Sequence, residues 1–188
     1  MGIHGELRAV FLDRDGVIIR AIVREGRPFA PGDEEGLELL PGVATALDRL
    51  RSAGFRLVVV TNQPDVARGT LRPDVLERMH EQLRFRLPID DIRTCPHDDG
   101  DGCACRKPKP GLLEAAARAA GISLRDSFMV GDRWRDVEAG RRAGCTTVFV
   151  DYGYNERRPV DPDAVVGSLA EAASWILSTQ EQGGHEID

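Results

Sequence analysis

Residues 9–18 read Ala-Val-Phe-Leu-Asp-Arg-Asp-Gly-Val-Ile, an apolar run that stops at two carboxylates one residue apart and then at a glycine. A short unbroken apolar run suits a strand buried on both faces, as in parallel sheets covered by helices. Ligands of such sheets bind beyond the C-terminal ends of the strands. The run would therefore deliver Asp13 and Asp15 to a binding edge. Like charges this close resist joint ionisation unless a cation or hydrogen-bond donors sit beside them. The pattern points to a bound metal or a shared proton, with an Asp-rich turn as the plainer alternative. The remaining sequence has to decide between them.

Strands are expected at 7–12, 55–60, 127–130 and 146–150, with a shorter one at 89–94. Helices alternate with them. Pro41 opens one with Val43, Ala46, Leu47 and Leu50 on one side and Gly54 after its end. Pro73 opens a second, striped by Val75, Leu76, Met79, Leu83 and Leu87. Pro110 opens a third that stops at Gly121, and further helices are expected at 136–143 and 169–177. Residues 14–40 show no helical period and read as a loop with a short hairpin around 17–23, overhanging the two aspartates. Alternating strands and helices predict an α/β fold with a mostly parallel central sheet. Three strand ends would then converge: Asp13 and Asp15, Thr61 and Asn62, and Asp132.

At 188 residues the chain suits one domain spanning 1–188, with 179–188 expected as a frayed polar tail. A net charge of −6 argues against a nucleic-acid surface. No apolar run reaches membrane-spanning length and residues 1–7 have no signal-peptide pattern, so no membrane partner and a cytoplasmic location are expected. A monomer is expected as well. His4, His80 and His185 show no ligand spacing and are expected on the surface.

The strand ends make up the parts of a phosphoryl-transfer site that works through an aspartyl-phosphate. Asp13 can attack phosphorus and bind Mg²⁺, joined by the Asp15 backbone carbonyl and by Asp132. Asp15 can protonate the leaving alkoxide and later deprotonate water. Thr61 and Lys107 can donate to the phosphoryl oxygens as charge develops. Asp136, one turn after Asp132, can orient Lys107 or cap its helix. Arg68, Arg106 and Arg133, with Asn62, are candidates for holding substrate, because arginine presents a bidentate fork to phosphate; Arg68 and Arg133 read equally well as solvated surface charges. Trp134 can line the crevice or simply pack.

A second constellation is Cys95, His97, Cys103 and Cys105, spaced C-x-H-x5-C-x-C. Three thiolates and one imidazole on a short Gly-rich loop can close a tetrahedral shell around Zn²⁺ and leave no open position, which marks the zinc as structural. The loop runs directly into Arg106 and Lys107, so a bound zinc would set where those cations point. Cys145, before an apolar run, reads as a small buried residue.

Phe11-Leu12-Asp13-Arg14-Asp15-Gly16, Thr61-Asn62-Gln63, Arg106-Lys107-Pro108 and Gly131-Asp132 through Asp136 resemble, in order and spacing, the four motifs of the haloacid dehalogenase superfamily of phosphatases. The resemblance covers about residues 9–150. It implies a three-layer α/β/α sandwich of Rossmann-like type without a large cap domain, so the loops 14–40, 62–71 and 95–107 would supply specificity. The zinc-type loop narrows the likeness to small capless members, the heptose-bisphosphate 7-phosphatases and the histidinol phosphatases. Gln63 through Gly69 and Lys107 through Leu113 look like the heptose group. Pro64-Asp65 departs from its usual Ser-Gly, and the five-residue spacer after His97 is as compact as in the histidinol phosphatases. The implied substrate is a small phosphorylated sugar, with histidinol phosphate, a phosphotransferase activity and a non-catalytic zinc-stapled binding module as alternatives.

Overall fold

The computed structural model describes residues 7–183, with side chains described through residue 180. His4, His185 and the last five residues of the expected tail lie outside that range.

Strand β1 (Ala9–Leu12) is flanked on both sides by parallel neighbours. The others are β4 (Arg56–Asn62), β5 (Asp91–Cys95), β6 (Phe128–Gly131), β7 (Thr146–Val150) and β8 (Ala164–Val166), in the order β5-β4-β1-β6-β7-β8. Every pairing in this sheet is parallel. The helices are α1 (Val43–Ser52), α2 (Pro73–Arg86), α3 (Gly111–Ala120), α4 (Trp134–Ala143) and α5 (Leu169–Gly183).

The apolar runs alternate between two cores, because successive strand residues point to opposite faces. Val10, Leu12, Leu57, Val59 and Val130 pack with Leu47 and Leu50 of α1, Met79 and Leu83 of α2, and Ile176 of α5. Ala9, Phe11, Val58, Val60 and Met129 pack instead with Leu113 and Ala116 of α3 and Ala139 of α4. The result is the expected three-layer sandwich. Each fully buried leucine or isoleucine contributes roughly 1.5–3 kcal/mol, and truncating Leu83 to Ala would cost about 2–5 kcal/mol. Strand order reverses between β1 and β6, the switch point where α/β sheets open a crevice. Asp13 leaves one of these strands and Asp132 the other.

Three expectations shift. The hairpin forms at β2 (Ile22–Arg24) and β3 (Arg27–Phe29) rather than around 17–23. Its turn residues, Glu25 (φ 52°) and Gly26 (φ 75°), both take the left-handed conformation that a two-residue hairpin turn favours. Val17, Ile18 and Ile19 are buried and anchor the segment in the core. Strand β8 went unpredicted because its three residues are too short and too exposed to show a period. Helix α5 runs on to Gly183, so the part of the expected frayed tail that is described is helical. Among the described residues, no helix is long and apolar enough to cross a membrane.

Candidate active site

Asp13 sits one residue past β1, its N–H donating to the Val130 carbonyl at 2.9 Å across the switch point. Lys107 reaches it from the end of the cysteine loop. The ammonium donates to Asp13 Oδ1 at 2.7 Å and to the Val60 carbonyl at 2.7 Å, and pairs with Asp136 Oδ1 at 2.6 Å. All three of its protons are thereby used. Burial opposes a charge on Lys107, but the Asp13 and Asp136 carboxylates outweigh it and hold the amine above its ordinary range. Asn62, the last residue of β4, clamps the Lys107 backbone: its amide donates to the Lys107 carbonyl and its oxygen accepts the Lys107 N–H, both at 3.1 Å. Asp136 does both things expected of it, since it also accepts the Arg133 N–H at 3.0 Å at the start of α4.

Burial, with the Asp136 and Asp15 charges adding to it and Lys107 opposing, pushes the Asp13 carboxyl up to about 7. Asp132 is 1% exposed, and neither of its carboxylate oxygens has a hydrogen-bond partner. Burial first, then the Asp13 and Asp136 charges, raise it well above the usual carboxylate range. The backbone around it is built for this approach. Gly16 has φ +87°, and a Cβ there would overlap the Asp132 carboxylate; a Cβ on Gly131 would overlap Asp136. Oxygens of Asp13, Asp132 and Asp136 lie within 4.8 Å of one another. A buried carboxylate with no partner, crowded by two more, is the donor set a hard divalent cation needs. Magnesium fits these residues.

The Asp15 side chain lies outside that trio. Arg14 Nε reaches its oxygens at 3.3 and 3.2 Å and Nη2 reaches Oδ1 at 3.0 Å, while Gln63 Nε2 donates to Oδ2 at 2.8 Å. Gln63 also donates to the Thr61 hydroxyl at 2.8 Å. Behind Arg14 stands His80. It is 2% exposed rather than on the surface as expected, because it lies on the inward stripe of α2, four residues after Leu76 and three before Leu83. That spacing was visible in the sequence.

Asp13, Asp15, Lys107 and Asp136 open onto a cleft of about 280 Å³ that is also lined by Arg27, Arg68, Arg106, Arg133 and Arg135. Most of these arginines are already paired. Arg68 grips Asp98 at 2.7 and 2.8 Å, Arg106 and Arg135 share Asp99 at 2.7 Å each, and Arg133 holds Glu156 at 2.5–3.1 Å. Arg27, Arg135 and the acids of the cysteine loop were missed in the sequence, where charged loop residues carry no period. Trp134 sits beneath the Arg135 and Arg157 guanidinium groups, 5.2 and 4.5 Å from its ring centre, and does not line the cleft.

Cys95 ends β5 and His97, Cys103 and Cys105 follow on its loop. Cys95 Sγ lies 3.5 Å from His97 Nδ1 and 3.7 Å from Cys103 Sγ, and His97 Nδ1 lies 3.3 Å from Cys105 Sγ. A tetrahedral zinc with bonds of about 2.3 Å to sulfur and 2.0 Å to nitrogen requires edges of roughly 3.5–3.8 Å. The Cys105 Sγ–Cys95 Sγ edge is shorter, at 3.1 Å, so the four residues supply zinc's donor set and lie near its geometry, with that edge having to open around the ion. Cys145 is buried, as expected, and burial pushes its thiol up to about 12.

A HAD-hydrolase-like family profile matches residues 104–172. The chain is 36% identical over 177 residues to D-glycero-beta-D-manno-heptose-1,7-bisphosphate 7-phosphatase of Pseudomonas aeruginosa, covering 89% of this chain and 97% of that one. It is 35% identical over 184 residues to the enzyme of the same name from Escherichia coli K12, covering 91% and 88% respectively. Among solved structures, the D,D-heptose 1,7-bisphosphate phosphatase of Bordetella bronchiseptica, complexed with magnesium and phosphate, superposes with a TM-score of 0.76 at 30% identity, over 92% of this chain and 99% of that one.

Proposed function

The chain belongs to the haloacid dehalogenase superfamily, among its heptose-bisphosphate 7-phosphatases, and from that premise we propose that it hydrolyses the C7 phosphate of D-glycero-D-manno-heptose 1,7-bisphosphate. One observation carries the reading to this chain's own residues: a single cleft joins an acidic end at Asp13 and Asp15 to a wall of arginines. That arrangement suits a substrate with two phosphates, one reacting and one held.

Lys107 occupies Asp13 Oδ1 and leaves Oδ2 to meet phosphorus. Asp13 attacks, the bond from phosphorus to the C7 oxygen breaks, and the departing oxygen takes the proton of the Asp15 carboxyl. Water then gives a proton to the Asp15 carboxylate and attacks phospho-Asp13, releasing phosphate and restoring both side chains. Thr61 accepts from Gln63 and keeps its own hydroxyl hydrogen for a phosphoryl oxygen. Lys107 can meet that oxygen too on giving up one of its three bonds. Asn62 fixes the Lys107 backbone, and Arg68, Arg106 and Arg133 hold the sugar and its second phosphate. Asp13, Asp132 and the Asp15 backbone carbonyl would hold Mg²⁺, which when bound would offset the negative charge that gathers as carboxylate meets phosphate. Zn²⁺ on Cys95, His97, Cys103 and Cys105 has a structural role. The same reading has the chain acting as a one-domain monomer in the cytoplasm, its mass in solution checkable by light scattering.

The test is phosphate release, with Mg²⁺ present, from heptose 1,7-bisphosphate, histidinol phosphate and simple sugar monophosphates. The heptose bisphosphate is expected to turn over fastest and to keep its C1 phosphate. Histidinol phosphate, which the compact His97–Cys103 spacer favours, would overturn the assignment by turning over faster.

A further inference from the structure

The reaction above uses neither Arg14 nor His80, yet Arg14 heads the fully buried side chains by volume, at 0% exposed. A guanidinium in a core is costly unless its donors find partners, and a buried ion pair is no stability device, since apolar replacements often do as well. The pair it makes therefore needs another reason. Its carboxylate partner is Asp15, whose side chain, 14% exposed, opens onto the cleft. On the far side, Arg14 Nη1 lies 3.2 Å from His80 Nε2, on a helix 66 residues away in sequence. For Nη1 to donate, Nε2 must carry no proton, so the imidazole is neutral there. Burial and the adjacent guanidinium agree with this, pushing His80 down to about 4. The Arg14 carbonyl is itself pinned by the N–H groups of Ile18 and Ile19, each at 3.0 Å.

We infer that Arg14, braced by His80 of α2 and assisted by Gln63, positions Asp15 for proton transfer to the leaving oxygen. Arg14 and Gln63 grip both carboxyl oxygens from the protein side. They hold the group in one rotamer facing the cleft and stabilise the carboxylate left when its proton departs. His80 supplies what an apolar residue could not: an uncharged acceptor that satisfies the guanidinium without competing with Asp15 for its charge. The inference rests on Asp15 being the general acid, as proposed above.

The test uses the leaving group. A sugar alkoxide needs Asp15's proton and 4-nitrophenolate does not, so kcat/KM, which reports the first irreversible step, separates the two. His80→Leu should lower kcat/KM for heptose bisphosphate at least about tenfold and leave 4-nitrophenyl phosphate within about twofold. His80→Gln, whose amide oxygen can accept from Arg14, should regain most of the loss. Should His80→Leu not fold, Arg14→Lys, whose single ammonium cannot span His80 and both Asp15 oxygens and which leaves Gln63 on Thr61, should show the same selectivity. Asp15→Asn sets the reference. If it lacks the leaving-group selectivity, the general-acid reading itself fails. If it shows the selectivity and the His80 and Arg14 variants lose both substrates equally, or only melting temperature, the brace is overturned and Asp15's role stands.

Discussion

Among the described residues, two clusters of side chains could ligate a metal, and they are built in opposite ways. The acids at Asp13, Asp132 and Asp136 ride on strand ends and a helix start and are buried; Asp13 and Asp136 share Lys107, while both Asp132 oxygens are without a partner. The Cys95, His97, Cys103 and Cys105 cluster rides on a loop, is half-buried apart from Cys95, and has the four ligands a tetrahedral ion takes. The first sits on sheet ends and leaves a buried carboxylate without a partner; the second offers a complete tetrahedral donor set on a loop. An unfinished shell on a rigid frame leaves room for substrate. Four ligands leave no position for substrate, so an ion held there would act through shape, on the approach of Arg106 and Lys107 to the cleft.

The comparison breaks most sharply at Asp13. Asp13→Asn should lower turnover by about 10⁴-fold or more without lowering the melting temperature, because it removes a charge that burial disfavours; retained turnover would show that the acidic cluster is not the reacting centre. On the loop, Cys103→Ser or zinc chelation should act through shape. Melting temperature should fall by roughly 5–15 °C, and activity should fall with it. An unchanged melting temperature would remove the structural role. Metal analysis should return one zinc per chain, displaced in the variant.

The two clusters should also answer pH differently. The Asp13 carboxyl stands at about 7 in the folded chain against an ordinary 3.8. A raised carboxyl contributes stability that is fully present below the unfolded value and is lost as pH rises through the folded one. Without added Mg²⁺, the wild type should therefore lose stability relative to Asp13→Asn between about pH 4 and pH 7, and saturating Mg²⁺ should abolish the difference. Asp132→Asn should weaken the activation by Mg²⁺ without lowering metal-free stability, because burial already disfavours the charge it removes. Thermal melts over a pH series, with and without Mg²⁺, read both. The smallest effect belongs to Arg68, whose side chain is 47% exposed and tied to Asp98. Arg68→Ala should raise KM a few-fold and leave kcat unchanged, the mark of lost ground-state binding.

Much of this contrast was readable before any coordinates. Apolar runs ending in Asp13, Thr61 and Asp132 have one physical explanation, strands buried on both faces whose polar ends must do something at the sheet edge. The cysteine spacing likewise carries its own chemistry. What escaped reading was pairing that has no period: Asp98 and Asp99 against the cleft arginines, and the short edge strand Ala164–Val166. The hairpin was misplaced because Val17 to Ile19, apolar enough for a strand, serve as a core anchor. His80 is different, since its place on the apolar stripe of α2 was there to be seen. It was read as surface because a lone histidine is polar, whereas its partner, the buried Arg14, becomes evident only when β1 and α2 are brought together.

Everything at the acidic end of the cleft turns on Asp13 forming the covalent bond to phosphorus. Acid quenching during steady-state hydrolysis of heptose 1,7-bisphosphate with Mg²⁺, followed by reductive trapping and peptide mass spectrometry, tests it most directly. With tritiated borohydride as the trap, labelled homoserine is expected in place of Asp13 in its peptide alone, with the released sugar keeping its C1 phosphate. A label on any other residue, or turnover with no label at all, would contradict it.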